Sequence, residues 1–520
     1  MNAGFTIRPA PNACAALLAL LLAACGGGGG GTATGSAIGG GPAGPGLADP
    51  TIYSSAADAA LPSATEAAAV TSHTLALGGR TIAYTATAGH LNARAPGTGA
   101  AQASMFYVAY TADSAAPATR PLIFFYNGGP GSATVWLHLG SFGPRRIVIG
   151  APSTSVPQPF ELIDNAESLI DTADLVFVDA VGSGYSQAIE PATNQSFWSV
   201  DADARVMRDF IARYIEVNQR AASPTFLFGE SYGTTRSAVL ANLMVTAGMR
   251  LDGLVLQSSV LDYNSNCGLF DPGQLSCAGY LPSYGLTGAW FQLLQPQPTE
   301  SDAYAQQMRD FTDQRYAPAV AAFLGTRTPP APTLLDELVG RTGAPHALWN
   351  ADFNLDPTAY RSQTLTAQLM GRYDARVAAP ATSALAAGGD PSSTVISAPF
   401  VAAQRAHLAN ELRYSAGSTY TMLSNAITSW GFGHDGRALP DTIPDLATAL
   451  AQRPALRVLS LAGYHDLATP FRQTELDLAR LGAAPTLRQR VYPGGHMIYL
   501  DDAARPRMKA DLVAFINGSP

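Results

Sequence analysis

Ser231 sits at the centre of Gly229-Glu230-Ser231-Tyr232-Gly233, between an apolar run at residues 225–228 and a stretch, 234–244, with Ala, Val and Leu at helical spacing. Small residues two positions to either side let a chain turn sharply from strand to helix, lifting the central serine clear of a sheet. A serine hydroxyl attacks an acyl carbon only when a base takes its proton, so Ser231 as nucleophile requires a histidine oriented by a carboxylate. Two segments supply them in the order serine, acid, histidine. LRVLSLAGYHDLATP places Asp466 just past a buried-strand pattern, and YPGGHMIYLDD places His496 in a glycine-bearing loop just past the next one. The competing use of Asp466 is as a helix N-cap. His465 would stand in the wrong chain order for a base, and His138 and His434 lie apart from these strand ends.

Acyl transfer also needs donors for a tetrahedral oxyanion, each worth a few kcal/mol in the transition state. Asn127-Gly128-Gly129-Pro130-Gly131 directly follows the apolar run PLIFFY. A glycine-rich turn after an early strand supplies one backbone N–H, and the residue after the nucleophile supplies the other. These are assigned to Gly129 and Tyr232.

The elements that must position these residues fall into two groups. HTLALGG, RTIAYTATAG and SMFYVAYTA alternate as antiparallel strands do, whereas PLIFFYN, DLVFVDA, TFLFGE and LDGLVLQ are short continuous apolar runs, as in a parallel sheet buried on both faces. A helical pattern over 200–218 separates two of them, giving the strand–helix–strand order of an α/β doubly wound sheet. Residues 26–71 are rich in Gly, Ala, Ser, Thr and Pro and read as a linker. The first part of the core spans 72–265, an inserted and largely helical cap 266–414, and the second part of the core 415–520, where strands LRVLSLAG and LRQRVYP alternate with helices.

Hydrophobic content of 47%, charged content of 13% and a net charge of −8 describe a globular protein and argue against nucleic acid as a partner. Arg8 and the apolar stretch 13–24 fit a secretory signal that is too short to span a bilayer comfortably. It ends in Leu22-Ala23-Ala24-Cys25, which resembles the lipobox of bacterial lipoproteins. Residues 1–25 are thus expected to be a lipoprotein-type signal with Cys25 as the lipidated mature N-terminus; an ordinary signal peptide is the alternative. Cys267 and Cys277 then remain, and an exported compartment lets them pair, stabilising by roughly 3 kcal/mol in the chain-entropy view, or stay as two thiols.

The ordered set YNGGPGSATVWLHLGSFGPRRI, VFVDAVGSGYS, FLFGESYG, AGYHD and GGHM resembles the serine carboxypeptidases of the α/β-hydrolase fold over about residues 72–517. The resemblance implies a mostly parallel doubly wound sheet with a helical cap, a Ser231–Asp466–His496 triad and an oxyanion hole at Gly129 and Tyr232. No metal or organic cofactor is implied. The expected activity is release of C-terminal amino acids from peptides with a free C-terminus by an enzyme of the bacterial envelope, lipid-anchored at the periplasm or outer membrane.

In that family the substrate's carboxylate is held by the Asn of NGGPG and by the Glu before the nucleophile, here Asn127 and Glu230. A second Glu pairs with the first, and its position resembles Ser141. Without that partner, Glu230 is expected to ionise at lower pH and repel the substrate unless a cation compensates. Arg145 and Arg146, just after Gly143-Pro144, are the candidates. Two rival expectations follow: an esterase or acyltransferase on the same triad, and a catalytically silent surface lipoprotein that binds a partner.

Overall fold

The computed structural model describes residues 44–114, 116–270 and 275–518. Cys25, the expected signal and residues 26–43 of the expected linker lie outside the described residues.

A ten-stranded sheet organises the chain. Its strands are β1 (Ala68–Leu77), β2 (Arg80–Arg94), β3 (Ala101–Ala112), β4 (Leu122–Tyr126), β5 (Asp174–Val178), β6 (Thr225–Glu230), β7 (Gly253–Gln257), β8 (Arg457–Gly463) and β9 (Leu487–Tyr492), with the short Gln187–Ala188 pairing against β3. The spatial order is β9-β8-β7-β6-β4-β5-β3-β2-β1. From β9 to β5 the pairings are parallel, and β5-β3, β3-β2 and β2-β1 are antiparallel. Such a mostly parallel sheet flanked by helices is the α/β-hydrolase architecture that the motif order implies.

Burial explains the contrast between the two strand groups. Every residue of β4, β5, β6 and β7 is buried, because helices cover both faces. On one face Phe125 stacks between Phe177 and Phe228, with ring centroids 4.6 and 4.9 Å apart. On the other, Phe124, Leu227 and Leu254 join Met207, Phe210 and Tyr214 of helix α1 (Val200–Val217). Each such large apolar side chain contributes roughly 1.5–3 kcal/mol when fully buried.

The register of these strands decides what meets at their carboxyl edge. Gly229 pairs with Tyr126, so Glu230 and Asn127 emerge side by side, while Glu230 itself pairs with Gln257. Gly463 of β8 pairs with Tyr492 of β9, so the loops carrying Asp466 and His496 leave the sheet as neighbours.

Between β7 and β8 the chain is mainly helical, from Leu281–Trp290 to Pro391–Ala406. Within it Ser301–Phe311 and Ala317–Thr326 are joined by a π-turn at Thr312–Tyr316, in keeping with the largely helical cap expected here. This segment has its own core, including Tyr284, Tyr316, Trp349 and Tyr360, which runs into Tyr464, Leu467 and Phe471 around the acid loop. Cys267 and Cys277 are disulfide-bonded at its start, with Cα atoms 5.5 Å apart.

The expected linker is corrected over residues 44–71. Leu47–Asp49 forms a strand parallel to Tyr414–Ala416, and Asp49 accepts hydrogen bonds from the hydroxyls of Tyr53 and Tyr414 at 2.8 and 2.9 Å. Tyr53 stacks on His90 with centroids 4.7 Å apart, and Leu61 is buried. Composition misled because backbone pairing and a few well-placed tyrosines anchor the segment without a run of large apolar residues.

Candidate active site

Ser231 stands between the end of β6 and helix α2 (Tyr232–Thr246) with φ 61° and ψ −128°. A non-glycine residue there costs about 1–3 kcal/mol, which the surrounding hydrogen bonds must offset. The Ser231 amide donates to the Gln257 carbonyl at 3.0 Å, and the Ser231 carbonyl accepts from the Thr234 amide at 2.8 Å. Both flanking glycines are required by close backbone approach. A Cβ on Gly229 would lie 2.3 Å from the Gly233 carbonyl oxygen, and one on Gly233 would lie 2.9 Å from that of Tyr126.

Asp466 and His496 meet as expected, with Asp466 Oδ2 2.7 Å from His496 Nδ1. Both are buried. Asp466 Oδ1 accepts from the amides of Ala468 and Thr469 at 2.8 and 3.0 Å, so one oxygen fixes its own loop while the other faces the imidazole. It does not cap the following helix, Phe471–Ala479, whose N-cap is Pro470. The Thr469 hydroxyl donates to Asp466 Oδ2 at 2.7 Å or to the Ser258 carbonyl at 3.0 Å, and lies 3.2 Å from His496 Nδ1. Ser258 in turn donates to the His496 carbonyl at 2.6 Å. Nε2 is the ring nitrogen that neither Asp466 nor Thr469 takes. Burial opposes protonation of His496, but the Asp466 carboxylate, with Glu230 adding, raises its pKa above the ordinary imidazole value.

Residues 371–377 lock these two loops together. The His496 amide donates to the Tyr373 carbonyl at 2.6 Å, the Leu467 amide to the Arg372 carbonyl at 3.0 Å, and the Ala375 amide to the His465 carbonyl at 3.0 Å. The Tyr373 ring packs 4.9 Å from the His496 ring.

The glycine turn after β4 packs directly on the serine turn. A Cβ on Gly128 would lie 2.5 Å from the Tyr232 nitrogen. Among the described residues neither the Gly129 nor the Tyr232 amide is taken by another protein acceptor, which leaves two N–H groups available beside Ser231. Asp179, from the DAVGSGYS segment, accepts from the Thr134 amide at 2.8 Å and the Tyr420 hydroxyl at 3.0 Å; burial pushes its carboxyl up to about 7. Arg236 is wholly buried, donating to Asp203 at 2.6 Å and to the Asn127 carbonyl at 2.9 Å. Its guanidinium also lies over the rings of Tyr126 and Tyr232.

Asn127 and Glu230 are brought together. Asn127 Nδ2 donates to Glu230 Oε1 at 2.7 Å, and Gln257 Nε2 donates to Oε2 at 2.8 Å. The expectation of a lower ionisation pH is corrected: burial pushes Glu230 up to about 7 even without a second carboxylate at Ser141. Ser141 takes no part in this cluster, since its hydroxyl donates to the Leu137 carbonyl at 2.5 Å, one helical turn back. Arg145 and Arg146 are corrected too. Arg145 pairs with Asp164 and Glu411, and Arg146 faces Glu167 at 4.0 Å; both are held on Arg145–Ile147, a strand paired with Leu162–Asp164.

Gln257, Thr469, Arg236 and Tyr499 escaped the sequence reading. For Thr469 the signal was its position three residues after Asp466, where a hydroxyl can fold back on the carboxylate. The others meet the site only through the sheet register and long-range packing. His465 is buried near Thr287 and the Trp290 ring, and burial lowers its pKa well below the ordinary value. Among the described residues one cluster has metal-ligand spacing, His434, Asp435 and Asp445, but both His434 ring nitrogens are bonded to carboxylates, Asp201 and Asp445.

Comparison with known proteins bears on this geometry. Residues 79–267 match the serine carboxypeptidase family model, which takes in the NGGPG and GESYG segments but not Asp466 or His496. The chain is 32% identical over 146 residues to serine carboxypeptidase-like 33 of Arabidopsis thaliana, covering 27% of this chain and 28% of that protein. It is 29% identical over 163 residues to serine carboxypeptidase ctsa-3.2 of Caenorhabditis elegans, covering 30% and 28%. The chain thus spans under a third of the length of these curated relatives. The fold is similar to that of Kex1(delta)p, a prohormone-processing carboxypeptidase from Saccharomyces cerevisiae, at a TM-score of 0.53 and 16% identity over 84% of this chain and 91% of that one. Residues 79–267, which bring the serine turn and the glycine turn together, carry the similarity of the chain to the serine carboxypeptidase family.

Proposed function

We propose that the protein is a serine carboxypeptidase that releases the C-terminal amino acid of a peptide through an acyl-enzyme on Ser231. The observation that carries this reading is the Asn127–Glu230 pair beside Ser231, because a buried carboxyl group with a raised pKa can stay protonated and donate to the carboxylate of a chain end. His496 Nε2 takes the Ser231 proton as Oγ attacks the last peptide carbonyl, and Asp466 stabilises the imidazolium that forms. The Gly129 and Tyr232 amides receive the oxyanion. As the tetrahedral intermediate collapses, the proton on Nε2 passes to the leaving amine and the amino acid departs. Water, deprotonated by the same nitrogen, then hydrolyses the ester on Ser231.

Recognition of the chain end falls to Asn127, as an N–H donor, and to Glu230 in its protonated form, which donates to the substrate's carboxylate. Arg145 and Arg146 have no part in it. The cap over 266–414 would supply the remaining substrate contacts. A disulfide agrees with an oxidising compartment, and we assign the enzyme to the cell envelope, anchored through Cys25.

The esterase or acyltransferase reading retains one observation in its favour, the absence of a second carboxyl group at Ser141. A blocked dipeptide and its C-terminal amide separate the two readings: the carboxypeptidase prefers the free acid strongly, whereas equal rates on both leave an esterase. Labelling of Ser231 by an active-site phosphonate excludes a silent binding protein.

A further inference from the structure

Tyr499 lies next to the place where the second carboxyl group was expected. A Cβ on Gly140 would come 2.7 Å from Tyr499 Cε2 and 3.2 Å from both Leu500 Cδ2 and Phe400 Cζ, so the absence of a side chain at Gly140, one residue before Ser141, is what admits the Tyr499 ring. That ring is fully buried. Its hydroxyl is near enough to Glu230 and Asn127 to be influenced by both, yet it has no hydrogen-bond partner among the described residues. A buried hydroxyl left in this state costs about 1–3 kcal/mol, and folded proteins rarely tolerate it without a ligand or water to complete the geometry.

The two neighbouring amides each have one N–H committed. Asn127 Nδ2 and Gln257 Nε2 each hold one oxygen of Glu230. Tyr499 therefore adds a neutral O–H at the site, and burial together with the nearby Glu230 keeps it protonated throughout the physiological range. A second carboxyl group could donate only while it held a proton, whereas a tyrosine donates at any pH at which the enzyme is folded.

On the carboxypeptidase reading above, we infer that the Tyr499 hydroxyl donates a hydrogen bond to the terminal carboxylate of the substrate, in the place of the second carboxyl group that Ser141 does not provide. Gly140 is then the small residue that makes room for it, and Tyr499 is a specificity-determining residue contributed by the turn just after His496.

The test compares a blocked dipeptide with its C-terminal amide in wild type and in Tyr499→Phe, which keeps the ring. The free-acid preference in kcat/KM falls about tenfold, as expected for one hydrogen bond to a charged group, with the loss carried by KM and equal at pH 5 and pH 8. An unchanged preference, or an equal loss on acid and amide, overturns the inference. No preference in wild type sinks the carboxypeptidase reading instead, so the two failures are distinct. Should Tyr499→Phe not accumulate as folded protein, 3-fluorotyrosine at 499 keeps the shape and strengthens the donor. It lowers KM for the free acid, and an unchanged KM contradicts the inference.

Discussion

Asp466 divides its carboxylate between two tasks, with Oδ2 2.7 Å from His496 Nδ1 and Oδ1 accepting the amides of Ala468 and Thr469. The second task makes the first possible, because the loop that carries the acid is held by the acid itself. Asp466→Asn keeps the amide contacts available to its carbonyl oxygen but presents an N–H to Nδ1, favouring the wrong tautomer. A loss of about 10⁴ in kcat is expected, with KM little changed, and steady-state kinetics on an activated ester reads it.

Glu230 links activity to pH. Its folded-state pKa is raised to about 7 by burial, so the group is protonated below that value and ionised above it. Only the protonated form donates to a substrate carboxylate. KM for a free-acid dipeptide should therefore rise as pH passes through about 7, while the C-terminal amide shows no such rise. Glu230→Gln, always a donor, removes the step; a step that persists in that variant would contradict the assignment.

Arg236 is a positioning residue for Asn127. Replacing it by Met leaves Asp203 buried without its cation, which costs about 3–5 kcal/mol, and leaves the Asn127 carbonyl without its donor. Denaturant unfolding measures the first effect. The second appears as a loss of free-acid preference in the protein that remains folded.

His434 clips the segment before helix Ile443–Gln452 to that helix and to α1, through Asp445 at 2.8 Å and Asp201 at 2.7 Å. These carboxylates, Asp445 first, raise its pKa from 6.5 to about 9. The sign follows from linkage: the imidazolium contributes fully below pH 6.5, and the contribution is lost as pH rises through about 9. His434→Asn should cost about 2 kcal/mol near pH 6 and progressively less toward pH 10, measured as the difference in unfolding free energy from wild type.

The parallel strands were legible because residues buried on both faces leave continuous apolar runs, and the Asp466–His496 contact because each of these residues closely follows such a run. Glu230 and Asn127 were paired through the family resemblance alone, and the register Gly229 to Tyr126 is the physical reason they meet. Tyr499 and Gln257 were not legible, since nothing local marks a tyrosine in a turn or a glutamine at a strand end as facing a carboxyl group 27 or more residues away. Arg145 and Arg146 misled because proximity in sequence to Gly143-Pro144 says nothing about direction; the strand they start points them at Asp164, Glu411 and Glu167. Residues 44–71 were misread because a short paired strand needs hydrogen-bonding partners more than apolar bulk.

The most direct measurement is the release of the free C-terminal amino acid from a blocked dipeptide by wild type, set beside the same peptide amidated at its C-terminus and beside Ser231→Ala. Release from the free acid is expected, with at least tenfold preference over the amide and a loss of about 10⁴-fold or more in Ser231→Ala. No release by a wild-type protein that still cleaves simple esters would contradict the carboxypeptidase reading.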